Sequence, residues 1–379
     1  MMRRRFDPGR FWAVLVKEFI QMRRDRLTFA MMIGVPIMQL VLFGYAIDID
    51  PKNLPAAAVV NDPGPFARSF LAAVQNTGYF RIAELPASER EANRLLQIGA
   101  VQFVITIPPR FAEQLVRGER PALLVEADAS DPAAIGNALA ALAALDARAL
   151  RHDLHGPLQP LAGTAPPFEV RVHRRYNPER ISRYNIVPGL LGVVLTMTMV
   201  MMTALGMTRE RERGTMENLL ATPVRPIEVM LGKIVPFVVV GYIQVGMILL
   251  AARFLFEVPM IGSLALLSGA LILFITANLA VGYTFSTLAN NQLQAYQMAL
   301  FFFLPSILLS GFMFPFRGMP QWAQWLGEVL PLTHFLRIVR GILLKGNGLA
   351  EIWVDLWPLL VFLLAAAAIA LWRSRETLD

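Results

Sequence analysis

The sequence predicts an α-helical integral membrane protein with six transmembrane helices, both termini in the cytoplasm, and an extracytoplasmic α/β domain inserted between the first two spans. Three observations predict it. Of 379 residues, 55% are hydrophobic and only 17% charged, too little charge for a soluble chain of this length. The apolar residues gather in six runs of about 20 residues or more, each able to cross a hydrocarbon core roughly 30 Å thick. Between the first and second runs the character changes, and Pro, Gly and charge return over residues 48–183.

Residues 1–26 come first. Over 10–26, Trp12, Leu15, Val16, Phe19 and Met22 share one helical face, and Arg10, Lys17, Gln21 and Arg24 share the opposite one. That pattern suits a cytoplasmic amphipathic connecting helix lying on an anionic leaflet. Arg3, Arg4 and Arg5 resemble the start of a signal peptide, but Lys17, Glu18 and the charged run Arg23, Arg24, Asp25, Arg26 break up the apolar stretch a signal needs. The uncharged run 27–47 is therefore expected to be a retained first span.

Residues 48–183 alternate strand-like and helix-like stretches. Leu54–Val60 reads as a strand, 65–75 as a helix behind Pro65, and 79–83 as a strand. Ser88 with Glu91 forms a capping box for a helix that Gly99 ends. The run 101–107 is a second apolar strand. Pro109 opens a helix over 110–117 that Gly118 closes, 122–126 is another strand, and 131–150 is an Ala-rich helix. Alternation of this kind implies a compact α/β domain.

Five further spans are expected at 184–208, 234–256, 263–288, 293–316 and 353–372, with a tail at 373–379. Helices are the expected spanning form, because they satisfy every backbone polar group in hydrocarbon. Arg23, Arg24, Arg26, Arg209, Arg211, Arg213, Arg225, Lys233, Arg373 and Arg375 flank the spans on one side. The positive-inside tendency makes that side cytoplasmic. Arg171, Arg174, Arg175, Arg180 and Arg183 conflict with it, but long translocated domains largely escape the rule.

Composition also excludes. The net charge of +7 is not gathered into an aromatic-interleaved patch, which argues against nucleic acid. Cysteine is absent, so no disulfide or thiolate chemistry exists. No G-x-x-x-x-G-K-[ST] loop cradles a nucleotide. His152, His155, His173 and His334 lack metal-ligand spacing, and Asp128, Asp131 and Asp153 read as turn and capping residues. No catalytic, cofactor or metal residues are expected. The span cores carry essentially no ionisable group, with Arg253 and Asp355 at their ends. Ion-coupled carriers commonly need such groups. Any uphill transport must then draw on a partner.

The loop 209–233 is where that work would enter. Arg209, Glu210, Arg211, Glu212 and Arg213 carry the second span into water. Gly214 permits a sharp turn, Thr215 is an N-cap, Glu217 sits in the first turn, and Pro223 ends a short helix that exposes Leu219 and Leu220. From these residues alone the loop either docks a partner or merely terminates two helices.

The pattern Glu210, Arg211, Glu212, Gly214, Thr215, Glu217, Leu219, Leu220, Thr222, Pro223 resembles that of ABC-2 type permeases. Further matching stretches run from Val16, Lys17 and Glu18 through Arg23, Arg24 and Asp25 to Pro36 and Phe43-Gly44-Tyr45. Others are Leu304-Pro305-Ser306, Leu309-Ser310-Gly311-Phe312, Met319-Pro320, Pro331 to Phe335, Arg340-Gly341 and Gly346. The resemblance is greatest to the bacterial drug-exporter-like subgroup with a large extracytoplasmic domain. It implies an inner-membrane permease that forms a homo- or heterodimer. It also implies a cytosolic ATP-binding-cassette ATPase, which carries the ATP and Mg, and in many cases a periplasmic adaptor. Arg209 to Pro223 would couple to the ATPase, and Lys17 to Asp25 would form the connecting helix. The segment 317–350, with Met319, Pro320, Pro331, Arg340 and Gly341, would be re-entrant or interfacial helices forming a lid over the exit. Passive anchoring of neighbouring helices is the alternative for that segment. Drug-like cargo is expected, with lipid or glycan cargo and a membrane-anchored scaffold as the rival readings.

Met197, Met199, Met201, Met202 and Met207 in the second span are read as packing residues rather than a cargo path. Thr196, Thr203, Gln244, Asn278, Gln294 and Gln297 are candidates for hydrogen bonds between helices.

Overall fold

The computed structural model describes residues 51–145, 149–150, 153–154, 159, 166–179, 181–212 and 226–376, with the backbone alone for 132–134, 210–211, 226–235 and 374–376. The expected amphipathic helix over 10–26, the first span over 27–47 and the loop over 213–225 lie outside these residues.

Five strands and four helices alternate in the first part of the chain: β1 (Leu54–Val60), α1 (Pro65–Asn76), β2 (Phe80–Glu84), α2 (Glu89–Gln97), β3 (Phe103–Ile107), α3 (Phe111–Val116), β4 (Ala122–Asp128), α4 (Pro132–Ala143) and β5 (Glu169–Arg175). They form one mixed sheet in the order β2-β1-β3-β4-β5. β1 runs parallel to β2 and β3, and β4 runs antiparallel to β3 but parallel to β5. β3 is buried throughout and apolar but for Thr106, as expected of a strand covered on both faces.

One face packs Phe70, Phe103, Phe111 and Phe168 into the main core. Phe168 meets Phe70 edge to face at 5.4 Å. The other face packs Ala57, Val59 and Val104 against Ala92 and Leu96 of α2. The start of α2 is set by its own side chains: Ser88 Oγ accepts from the Glu91 amide, and Glu91 Oε2 accepts from the Ala87 amide, both at 3.3 Å. Gly99 ends that helix with φ of +75°, a conformation that favours glycine.

Two expectations need correction here. The Ala-rich helix ends at Ala143 rather than near 150. The arginines of 171–175 belong to β5, not to a flank of the second span. Val170 and Val172 pack on the core, Arg171 pairs with Glu169, and Arg175 Nε donates to Glu126 Oε1 at 2.7 Å. The Val170, Val172 alternation was the signal for this strand.

The remaining chain is helical: α5 (Ser182–Glu212), α6 (Pro226–Phe254), α7 (Leu264–Leu288), α8 (Gln292–Leu309), a 3-10 turn (Phe316–Gly318), α9 (Gln321–Val329), α10 (Pro331–Arg340), a π turn (Gly341–Lys345) and α11 (Leu349–Glu376). Among the described residues, five helices are long and apolar enough to cross a membrane: α5, α6, α7, α8 and α11. The 31 residues of α5 span about 46 Å at 1.5 Å per residue. That exceeds a hydrocarbon core of about 30 Å, so α5 carries its last turns into water.

α7 is the hub and packs on α5, α10 and α11. A Cβ on Gly282 would sit 2.6 Å from the Val200 carbonyl oxygen, so α5 and α7 meet backbone to backbone. α10 is buried from Pro331 to Leu336 and at Ile338 and Val339, and Phe335 stacks on Phe274 of α7 at 4.1 Å. It is an inserted helix, not one lying flat on the surface. α9 keeps Trp322, Trp325, Leu326 and Val329 exposed.

Candidate functional site

Two regions carry the chemistry of this chain. The first is the water-facing end of α5. Glu212 Oε1 accepts from the backbone amide of Gln292, the first residue of α8, at 2.8 Å, and Oε2 accepts from Gln292 Nε2 at 2.5 Å. Arg209 Nε approaches Gln292 Oε1 at 3.4 Å. Asn291 caps α8 by accepting from the Gln294 amide at 2.8 Å. The Glu212 carboxyl is held below the usual carboxylate range, first by the Gln292 side chain and then by the Gln292 backbone amide. A carboxylate at a helix N-terminus is favoured by the helix dipole as well. The expected docking residue is therefore a tie between the second and fifth predicted spans. Glu210 and Arg211 lie in the last turn of α5, and Gly214, Thr215, Glu217, Leu219, Leu220 and Pro223 lie outside the described residues. So do Lys17, Glu18, Arg23, Arg24 and Asp25.

The second region is the segment from Phe316 to Asn347, where α10 meets both the helices and the sheet domain. Met319 is buried against Leu308, Leu309 and Ala323. Pro320 precedes α9, and Pro331 occupies the first position of α10, where its missing amide costs nothing. Arg340 Nη1 donates to the Gly311 carbonyl at 3.2 Å, while its buried Nε and Nη2 meet no protein acceptor. Gly341 admits Asn347, whose amide nitrogen would lie 2.9 Å from any Cβ there.

A buried ionic network, which sequence reasoning missed, stabilises α10. His334 Nδ1 lies 2.9 Å from Asp355 Oδ1, and Nε2 lies 2.8 Å from the Glu328 carbonyl oxygen. A carbonyl only accepts, so Nε2 carries hydrogen toward Glu328, and Nδ1 faces the Asp355 carboxyl on the other side of the ring. Arg337 donates to Glu328 at 2.6 Å and 3.1 Å and to Asp355 at 3.3 Å, with its guanidinium over the Phe316 ring. His334 and Arg337, three residues apart, mark one helical face. That spacing was the available signal.

Three contacts then fasten this segment to the sheet domain. Lys345 Nζ binds Asp128 Oδ2, Asn347 Nδ2 donates to the Gln97 carbonyl at 3.2 Å, and Arg317 approaches the Gly99 carbonyl at 3.4 Å. A cavity of about 270 Å³ lies between the two bodies. Asp128 also accepts from the Ser130 amide, so its reading as a turn residue covers half of its bonding. Tyr176, beneath the Lys345 ammonium, is pushed up to about 12 by burial and then by Asp128, and stays neutral.

The candidate bridging residues mostly bond within their own helices: Thr196 to Gly192, Thr203 to Met199, and Asn278 to Phe274. Gln244 does bridge, accepting from Thr198 at 2.9 Å. Met199 and Met207 are buried in packing, and Met197 and Met202 are exposed on the helix surface.

The profile described as "ABC-2 family transporter protein" matches residues 26–372. The chain belongs to the ABC-2 transporter family. The ABC-2 chain is 30% identical over 360 residues to "Probable multidrug ABC transporter permease YbhS" of Escherichia coli K12, covering 94% of this chain and 93% of that protein. It is 27% identical over 368 residues to "Probable multidrug ABC transporter permease YbhR" of the same strain, covering 97% and 99%. "Inner membrane transport permease YhhJ", also from that strain, is 28% identical over 308 residues, covering 78% of each. As an ABC-2 permease the chain is a multi-pass membrane transport subunit.

Proposed function

We propose that this ABC-2 permease is the membrane-spanning half of an inner-membrane exporter that moves a drug-like or amphipathic substrate out of the cytoplasm or inner leaflet. ATP, with Mg, is hydrolysed on a separate cytosolic cassette subunit. Two permeases line the pathway, a periplasmic adaptor joins the exit side, and the sheet domain stands outside the cytoplasm. The names of the multidrug relatives favour drug-like cargo.

The observation that carries this reading is the Glu212–Gln292 junction. A docked ATPase that displaces the loop 213–225 moves the end of α5, and through Glu212 it moves α8 as well. α5 in turn presses on α10, because Gly192 leaves less than a methyl group of room against Leu332 and Phe335. Displacement at the cytoplasmic end would reach α10 by solid contact, and withdrawal of α10 would open the exit.

Co-expression with the cassette ATPase of a neighbouring reading frame tests this in inside-out vesicles. Glu217→Lys should abolish ATP-driven substrate accumulation while membrane insertion and yield stay normal. Unchanged accumulation removes the coupling role, and concentrative uptake by the lone chain on an ion gradient overturns the whole reading.

A further inference from the structure

The cavity of about 270 Å³ between the sheet domain and α10 is balanced in charge, with four acids and four bases among its described lining residues. Its hydrogen bonding is not balanced. Arg340 Nη1 donates to the Gly311 carbonyl at 3.2 Å, while Nε and Nη2 are buried without a protein acceptor among the described residues. Those two nitrogens form one edge of the guanidinium, whose parallel N–H bonds fit both oxygens of a carboxylate.

Two further lining residues carry the opposite surplus. Gln102 Oε1 and Asn347 Oδ1 are buried acceptors without a protein donor among the described residues. Asn347 Nδ2 donates to the Gln97 carbonyl at 3.2 Å, which settles which atom of that amide is left over. Gln102 stands just before β3 in the sheet domain, Arg340 ends α10, and Asn347 follows the π turn. The surplus donors and acceptors thus belong to residues that line one cavity from both bodies. Its volume falls just under the range of about 300–1,000 Å³ usual for small-molecule sites, so a fitting ligand is small.

We propose that this cavity binds a small zwitterion of the amino-acid class, and that the ligand fastens the sheet domain to α10. The carboxylate sits on the Nε–Nη2 edge of Arg340, and the ammonium donates to Gln102 Oε1 and Asn347 Oδ1. A molecule with both charges adds no net charge to a lining whose acids and bases already match. It also pairs the donors and the acceptors at once, which neither a simple anion nor a simple cation does.

The test uses the full chain in detergent, with glycine, γ-aminobutyrate and ε-aminocaproate as probes that set the two charges progressively further apart. Butyrate and butylamine, which carry one charge each, are the comparisons. Calorimetric titration reads affinity, and hydrogen exchange at 97–102 and 338–347 reads the place. At least one zwitterion should slow exchange in both segments and bind about tenfold or more tightly than butyrate or butylamine, as expected for charge-assisted contacts. Arg340→Gln should lower that affinity about tenfold or more, and Arg340→Lys, which keeps the charge but loses the fork, should not restore it. Should the Arg340 variants fail to fold, Gln102→Leu, which removes one acceptor at similar size, should lower the affinity severalfold. Protection by none of the three zwitterions would mean a cavity filled by ordered water only, and overturns the site. Unchanged affinity in folded Arg340→Gln overturns it as well, and butyrate binding as tightly as the zwitterions overturns the ligand class.

Discussion

Lys345 Nζ lies 2.5 Å from Asp128 Oδ2, although the two stand 217 positions apart in sequence, and each side chain is only 9% exposed. A buried pair of this kind is close to break-even against two hydrated ions, yet removal of one partner leaves a buried charge alone. It therefore specifies where the sheet domain sits more than it adds to total stability.

Asp128→Asn should weaken docking of the sheet domain by about 3–5 kcal/mol. Hydrogen exchange should rise at 97–102 and 341–347 while the strands stay protected. Asp128→Asn with Lys345→Met should lose less. If the single variant exchanges like the unaltered chain, the pair does not hold the domain.

Gly282→Ala should lower stability by about 1–3 kcal/mol through overpacking, because the new methyl meets the Val200 backbone at 2.6 Å. Gly246→Ala is the control, since nothing lies within 4 Å of its Cβ position. Thermal unfolding in detergent compares them. Equal melting temperatures would contradict the close crossing of α5 and α7.

The Glu212 carboxyl is lowered in the fold, so its contribution is complete above the ordinary carboxylate range and disappears as pH falls through the depressed value. Glu212→Ala should accelerate exchange of the amides at 292–294 at neutral pH. The unaltered chain should show comparable fraying only in acid below that range. Identical exchange at neutral pH would remove the tie between α5 and α8.

His334→Leu strips a donor from the Glu328 carbonyl and a partner from Asp355. Leaving such groups unsatisfied costs about 1–3 kcal/mol. A lower melting temperature with unchanged membrane insertion is expected, and an unaltered one would mean the network is dispensable to α10.

Local chemistry was legible in the sequence. β1 falls at Leu54–Val60 as read, and the Ser88 and Glu91 cap and the turn at Gly99 arise from side chains a few residues apart. β5 was missed because its arginines obscured a two-valine alternation; Glu169 pairs with Arg171 within the strand, but Glu126, the partner of Arg175, becomes visible only when β5 pairs with β4. The site divides the same way. Glu212 was marked as a charge near a helix end, but its acceptor role depends on Gln292, 80 residues on. Lys345, Asp128, His334 and Asp355 each look ordinary alone, and no periodicity relates residues on separate elements. Tertiary contact supplies that information.

The π turn at Gly341–Lys345 has a consequence for how such chains diverge. A widened turn holds one residue more than an α turn, and each residue rotates the downstream helix by about 100°. Loss of a single residue there would swing the ammonium away from its carboxylate and turn Asn347 and the start of α11 with it. A deletion at this spot would thus disturb two fastenings of the sheet domain in one event, the Lys345–Asp128 pair and the Asn347–Gln97 bond, where a substitution removes one at a time.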